Sequence, residues 1–373
     1  MVHDSHTPSW TYAYEMELYR EEYLSAINTV FDSGCLLFGE QLKSFEETFS
    51  KYIGTAYSIG CDNATNAIFL SLKSLGIGSG HTVITVPNTA IPTVSAIRQS
   101  GARPIFVDVG KNALMDPALI EDAIHPSTKA ILPVHLYGYP CDMHVINKIA
   151  SKHQLSVLED CSQAHGSKIG DKSVGSFGDL SCFSFYPTKP LGGFGDAGMI
   201  CTDNQALNQK LRRLRFYGID SDYIAQFDGY NSRMDEIHAA ILNKKISRLD
   251  LSINHRQKIL DIYIATLSSP FLTPLPPPED SSTSKYLIPF LFEGDRDKFA
   301  ARLYEHGIGT NISYKTPIHL MPAYKDLNYR EGDFPNAEFF SKQNISFPIF
   351  NDMPESLAYK IAERINTVLD LYF

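Results

Sequence analysis

The sequence predicts an α/β protein with a large, mostly parallel sheet covered by helices on both faces, followed by a small C-terminal α+β domain. Three observations carry this. Between about residues 56 and 215, short apolar runs alternate with stretches of helical period, which implies crossover connections. A long helical pattern then opens near Asp235. Beyond it, Pro274-Leu275-Pro276-Pro277-Pro278-Glu279-Asp280 forms a break that neither a helix nor a central strand accepts.

The apolar runs at 56–59, 83–86, 104–109, 130–134, 156–159, 180–185 and 198–202 are the expected strands. Between them, 63–75, 92–100, 117–124 and 143–153 have the amphipathic pattern of covering helices. Leu242, Ile246, Leu249 and Ile253 recur at spacings of four, three and four, one face of a helix. That helix is expected to run from Asp235 to about Leu267 and to link the two domains, residues 1–250 and 251–373. After the proline break the pattern predicts a strand at 286–292, a helix at 296–306, a short strand at 308–313 and a final helix at 355–371.

The net charge of −9 argues against a nucleic-acid partner, which would demand a basic footprint. No apolar run reaches the length of a membrane span, and the polar stretch from Met1 to Trp10 lacks the apolar core of a signal peptide. The six cysteines form no CxxC and no framework spacing, so reduced thiols in a cytoplasmic protein are expected. The twelve histidines show no tight metal-binding spacing, and no metal is expected.

Two short segments carry the chemistry. Leu158-Glu159-Asp160-Cys161-Ser162-Gln163-Ala164-His165-Gly166 places a carboxylate just past an apolar run. Ser184-Phe185-Tyr186-Pro187-Thr188-Lys189 places a lysine just past another, ahead of a turn rich in glycine at Gly192, Gly193, Gly195 and Gly198. Pyridoxal 5'-phosphate chemistry needs such a pair. The lysine holds the aldehyde as a Schiff base, and the acid keeps the pyridine nitrogen protonated so that the ring accepts electrons. Taken alone, Asp160 reads more readily as a helix cap or a solvated carboxylate than as a catalytic acid, and Glu159 beside it points the other way along the strand. Lys168 and Lys172, in a polar turn, read as surface.

A phosphate site is offered by Gly60-Cys61-Asp62-Asn63-Ala64-Thr65-Asn66-Ala67, a strand end and polar turn before a helix. Amides at such a helix start bind phosphate, although ordinary capping by Asp62 or Asn63 explains the same residues. No Walker A sequence occurs, and Gly192-Gly193-Phe194-Gly195 fails the dinucleotide spacing. His135 reads as a satisfied strand-end histidine. His319 lies in a proline-bearing loop within possible reach of a substrate.

In this order the pieces resemble the DegT/DnrJ/EryC1/StrS family of pyridoxal phosphate-dependent nucleotide-sugar aminotransferases. The resemblance runs from Asp32-Ser33-Gly34, Phe38-Gly39-Glu40 and Phe45-Glu46 through residues 133–143, the two segments above and Asn231-Ser232-Arg233-Met234-Asp235-Glu236, to Pro317-Ile318-His319 and Ala323-Tyr324. It implies an aspartate-aminotransferase-like (type I) fold and a homodimer with active sites at the subunit interface. By it, Lys189 binds the cofactor aldehyde, Asp160 pairs with the pyridinium nitrogen and Gln163 reaches the phenolic oxygen. Ala64, Thr65 and Ser184 hold the phosphate, Asn231 reaches it from the partner subunit, and Tyr186, Tyr314 and His319 lie near the sugar. Two departures stand out. Asn63-Ala64-Thr65 replaces the common Ser-Gly-Thr, and Ala90 stands where members often carry an aromatic that stacks on the cofactor.

The expected reaction is transamination, with glutamate giving its nitrogen to the keto group of a nucleotide-linked deoxysugar. The Leu191-Gly192 and Gly195-Asp196 pattern is similar to members that act at sugar C-3, here on a dTDP-linked 3-keto-6-deoxyhexose. Amination at C-4 is the near alternative. A dehydratase on this fold would carry histidine in place of Lys189, and a non-catalytic cofactor- or sugar-binding regulator would not need the Lys189–Asp160 pair.

Overall fold

The computed structural model describes residues 6–372. Residues 1–5 of the polar N-terminal stretch and Phe373 lie outside the described residues. All seven apolar runs form strands of one sheet. They are β1 Tyr57–Cys61, β2 Thr82–Thr85, β3 Arg103–Phe106, β4 Thr128–Ile131, β5 Ser156–Asp160, β6 Leu180–Ser184 and β7 Gly198–Thr202. Across the sheet they lie in the order β1-β7-β6-β5-β4-β2-β3. Every pair from β3 to β6 is parallel. Only β7 runs against its neighbours, β6 and β1. The segment between β6 and β7 holds no helix. A connection without a crossover returns the chain antiparallel, so Lys189 sits on the turn itself.

Helices Ala64–Ser74, Ile91–Gln99 and Met143–His153 cover the sheet, as their periodicity predicts. On the other side, Leu42, Phe45 and Phe49 of helix Glu40–Ile53 pack with Phe183, Phe185, Met199, Leu242 and Leu249. Burial of these large side chains stabilises by about 1.5–3 kcal/mol each. The stretch 117–124 is not an α-helix. It forms two 3₁₀ turns, Pro117–Leu119 and Glu121–Ala123, each with a single turn's bonds.

The helix expected from Asp235 to Leu267 is broken. It forms Glu236–Ile246 and Leu249–Thr266. At the break the Ser247 hydroxyl donates to the Lys244 carbonyl, and Arg248 turns away to pair with Glu22 and donate to the Tyr23 hydroxyl. The four apolar residues of the pattern still face one way, into a shared core. Lys245 forms a buried ion pair with Glu15 of the N-terminal helix Ala13–Ser33.

Leu249 and Ile253 belong to the core under the sheet, whereas Ile259, Ile262 and Tyr263 of the same helix belong to a second core. That core surrounds a three-stranded antiparallel sheet of Leu272–Pro274, Pro289–Phe292 and Asn344–Ser346. Helices Arg296–Glu305 and Glu355–Tyr372 flank it. The strand expected at 308–313 is absent, and only single bridges form there, Ile308 with Thr7 and Asn311 with Ser346. The pairing partner Asn344–Ser346 is short, so no ladder can extend. The segment carrying Ile318, Tyr324, Leu327 and Phe334 folds back against the core of the large sheet.

Two buried carboxylates join distant parts of the chain. Glu236 accepts from the amides of Gly39, Gln41 and Leu42 at 2.9 Å each, satisfying the start of helix Glu40–Ile53. Glu46 accepts from the Gly60 amide at 2.9 Å and pairs with Arg212 at 2.8 Å and Arg215 at 2.6 Å. Removing Glu236 leaves three amides without a partner. Glu236→Ala should destabilise the protein by about 2–4 kcal/mol in chemical denaturation, while Glu40→Ala, whose side chain is exposed, should stay within about 0.5 kcal/mol.

Candidate active site

The carboxyl ends of β5 and β6, the segment just ahead of β7 and the start of helix Ala64–Ser74 surround a cavity of about 320 Å³. Ala64, Thr65, Asp160, Gln163, Ser184, Tyr186 and Lys189 all line it. Residues drawn from three separate sequence segments therefore meet at one place, the usual ligand position of an open α/β sheet.

Asp160 is the last residue of β5 and is 4% exposed. Its Oδ2 accepts from Thr93 Oγ1 at 2.7 Å, and its Oδ1 from the Ser162 amide at 3.1 Å. Thr93 is in turn 2.9 Å from the Thr89 hydroxyl. The carboxylate is held on the cavity wall with no cationic side chain paired to it among the described residues. Glu159 projects to the opposite face, as strand alternation requires. It accepts from His135 Nε2 at 3.1 Å and from the amides of Gly175, Phe177 and Gly178 at 2.7–3.0 Å. Its oxygens are used up, so it is structural. The Cys141 amide donates to His135 Nδ1, which leaves the ring's hydrogen on Nε2, facing Glu159. His135, Glu159 and Cys161 lie close enough to hold a metal, but these hydrogen bonds already occupy the first two.

Gln163 is fixed at both ends of its amide. Its Oε1 accepts from the Tyr137 amide at 2.7 Å and its Nε2 donates to the Tyr314 hydroxyl at 3.1 Å. Tyr314 thus stands behind Gln163, and burial pushes its phenol well up. Tyr186 lines the cavity with half its surface exposed.

The phosphate candidate is built from backbone. Asn63 caps the helix by accepting from the Asn66 amide at 2.8 Å. Its carbonyl accepts from the Ala67 amide. The amides of Ala64 and Thr65 have no hydrogen-bond partner among the described residues and lie at the positive end of the helix. A Cβ on Gly198 would come within 2.5 Å of the Asn63 carbonyl carbon and 2.9 Å of the Ala64 nitrogen. Only glycine lets the start of β7 support this turn from below.

Three expected residues, Tyr314, Asn231 and His319, do not line the cavity. Asn231 is exposed, on a strand-like bridge to Phe216. His319 is buried, with Nε2 3.0 Å from Glu338 Oε1 and its ring edge against Phe334. Other residues come forward that sequence reasoning missed. Thr93 orients Asp160. Tyr286 brings its ring centroid to 4.3 Å from Lys189 Nζ. His165 lies fully buried against Phe183 and Phe185, with neither ring nitrogen in a full hydrogen bond. Burial, aided by the charge of Lys189, pushes its pKa down to about 3, so it is neutral. No spacing rule marks these three, because each acts from a different element.

The sequence matches the DegT/DnrJ/EryC1/StrS aminotransferase family over residues 17–366. The chain belongs to this family. It is 38% identical over 366 residues to a dTDP-3-amino-3,4,6-trideoxy-alpha-D-glucose transaminase of Micromonospora megalomicea subsp. nigra, covering 96% of this chain and 98% of that one. It is 39% identical to a dTDP-3-amino-3,6-dideoxy-alpha-D-galactopyranose transaminase of Aneurinibacillus thermoaerophilus, covering 93% and 95%. The X-ray structure of S. venezuelae DesV in complex with a ketimine intermediate superposes with a TM-score of 0.94 at 35% identity, covering 97% and 98%. The fold is that of the pyridoxal phosphate-dependent aminotransferases of this family, and the protein is a sugar aminotransferase with that cofactor. The residues present suit the group: an anionic acceptor on one wall, a lysine on the turn opposite, and unpaired amides at a helix start for a phosphate. Among the described residues no helix is long and apolar enough to cross a membrane.

The close approach at Gly198 yields a prediction. Gly198→Ala must push the Asn63–Ala64 turn outward, so the affinity for pyridoxal phosphate, read by absorbance titration, should fall about tenfold or more. An unchanged affinity would show that this turn does not hold the phosphate.

Proposed function

We propose that the protein aminates C-3 of a dTDP-linked 3-keto-6-deoxyhexose, with glutamate as amino donor. The observation that carries the reading is the meeting of Asp160, Lys189 and the open helix start at Ala64–Thr65 around one cavity. The two relatives, both dTDP-3-amino-sugar transaminases, support the position and the nucleotide. The Leu191-Gly192 and Gly195-Asp196 pattern beside Lys189 agrees with it. Amination at C-4 is the reading it displaces.

When bound, pyridoxal phosphate supplies an electron-accepting ring that carries the amino group between donor and acceptor. The chain's own residues do the rest. Asp160 holds the proton on the ring nitrogen, and Thr93 keeps that carboxylate aimed. Gln163 orients the phenolic side. Ala64 and Thr65, with Ser184, receive the phosphate, Ala64 through its backbone amide. Lys189 Nζ moves a proton at the reacting carbon as general base and then acid. Tyr186 stands toward the sugar, while Tyr314 and His319 act at one remove, Tyr314 by holding the Gln163 amide and His319 through its pairing with Glu338. Ala90, which lines the cavity, leaves room over the cofactor face that an aromatic would fill.

In this reading residues 1–250 form the cofactor-binding domain and residues 251–373 the smaller one. A second copy completes the site, with Asn231 reaching across to the phosphate. The exposure of Asn231 away from its own cavity agrees with that role. The six unpaired cysteines agree with a reducing, cytoplasmic setting.

Two experiments test this. Nucleotide-linked 3-keto and 4-keto 6-deoxysugars are offered with glutamate, and the product is read by NMR. Nitrogen on C-3 is expected, and nitrogen on C-4 with the 3-keto sugar untouched would overturn the assignment. Separately, inactive Lys189→Ala and Asn231→Ala proteins are mixed. Hybrid dimers then carry one intact site, so about a quarter of the wild-type activity should return. No recovery after verified subunit exchange rules out the shared site.

A further inference from the structure

Lys189 is surrounded by a polar frame that the reaction scheme does not use. Its root is Arg256, a guanidinium 1% exposed. Among the described residues no carboxylate pairs with it. Nε and one terminal nitrogen donate to Asn351 Oδ1 at 3.1 and 3.0 Å, and the other donates to the carbonyls of Lys285 and Tyr286 at 3.2 and 3.4 Å. Burying a cation among neutral acceptors costs stability that nearby apolar residues would not. Burial accordingly pushes its pKa down to about 10.

What Arg256 holds is informative. Asn351 Nδ2 donates to the carbonyl of Pro190, the residue after Lys189, at 3.2 Å. The Tyr286 hydroxyl lies 3.1 Å from Thr188 Oγ1, on the residue before it. The Tyr286 ring centroid is 4.3 Å from Lys189 Nζ itself. Lys285, next to Tyr286, has φ of 49°, a left-handed conformation that only its surroundings can maintain. The lysine's tip and both its chain neighbours are thus gripped from one buried point that lies outside the cavity lining.

We propose that Tyr286 is the positioning residue for the Lys189 amine: its ring face receives the free ε-ammonium beside the cavity, and Arg256 with Asn351 keeps ring and lysine turn in one frame. The proposal rests on the reading of Lys189 as the cofactor-binding lysine. An amine released from the cofactor hangs on four flexible methylenes. An aromatic face attracts the ammonium through its quadrupole and limits where it can go. The amine then waits within reach of the carbon whose proton it must move, which raises the effective concentration of the acid–base group.

The contact has a signature independent of turnover. Burial works to raise the Tyr286 phenol, but the Lys189 charge and the Thr188 hydroxyl outweigh it, and the net shift is below the ordinary tyrosine value. Besides Lys189, the ionisable groups that act on it are Arg256 and Tyr314. The full chain, freed of cofactor, is titrated by phenolate absorbance, and the Tyr286→Phe spectrum is subtracted to isolate one residue. A midpoint below the usual tyrosine range is expected, rising by about one pH unit in Lys189→Met. A midpoint that ignores Lys189→Met overturns the proposal, even where Tyr286→Leu fails to fold.

In turnover, Tyr286→Leu should lower kcat about tenfold with KM nearly unchanged, and Tyr286→Phe, which keeps the ring, should restore part of the loss. A wild-type kcat in Tyr286→Leu, or a loss confined to KM, also overturns it. Borohydride trapping of pyridoxal phosphate on a lysine other than Lys189 would sink the functional reading instead, and would leave the phenol titration standing.

Discussion

The site depends on how strand β5 ends. Two acidic residues follow one another there, and the pleat sends them to opposite faces. Glu159 gathers three amides and an imidazole beneath the sheet. That bonding fixes the loop that leads into β6, and with it the register of β5 on β6. Asp160 is then delivered to the cavity with its carboxylate already oriented by a threonine and a backbone amide. Loss of the Glu159 cluster would leave buried amides unsatisfied and loosen the strand whose tip does the chemistry.

A second layer of constraint comes from outside the sheet. The chain segments before β1 contribute little to the sheet, yet they are tied to it by buried charge. Glu46 anchors helix Glu40–Ile53 to β1 and to two arginines near residue 213. Glu236 caps that same helix from 195 residues away in sequence. Such pairs contribute less to net stability than their geometry suggests, because desolvation opposes them. Their effect is to fix which elements meet. The motif around Phe38-Gly39-Glu40 and the one ending at Glu236 form one contact in space.

Much of this was legible in the sequence, and the reasons differ by element. The sheet strands are short, apolar and buried on both faces, so each stands out as a run. Met143–His153 matched its predicted bounds because a polar cap, Asp142, and a full amphipathic face mark it. The break at Ser247-Arg248 was hidden, since the apolar face continues through it and only a side-chain ion pair reveals the turn. The small-domain strand Asn344–Ser346 is three residues long and gives no period to detect. Asp160 and Lys189 could be read as a pair from their settings. Thr93, His165 and Tyr286 could not, because their importance lies in contacts between elements far apart in the chain.

The reversed direction of β7 has one more effect. In a strictly parallel sheet a lysine past β6 would lead into a crossover, whose length can vary freely. Here the segment from Phe185 to Ala197 is clamped at both ends by hydrogen bonds in adjacent strands, and Phe185 and Ala197 bond to each other directly. Its span is therefore a fixed chord. An insertion or deletion within it would displace the amine or lift β7 from the turn at Asn63. Diversification of acceptor range across such proteins must then proceed by exchanging side chains in this segment, while changes of length are left to exposed turns away from the site, such as the one around Tyr223.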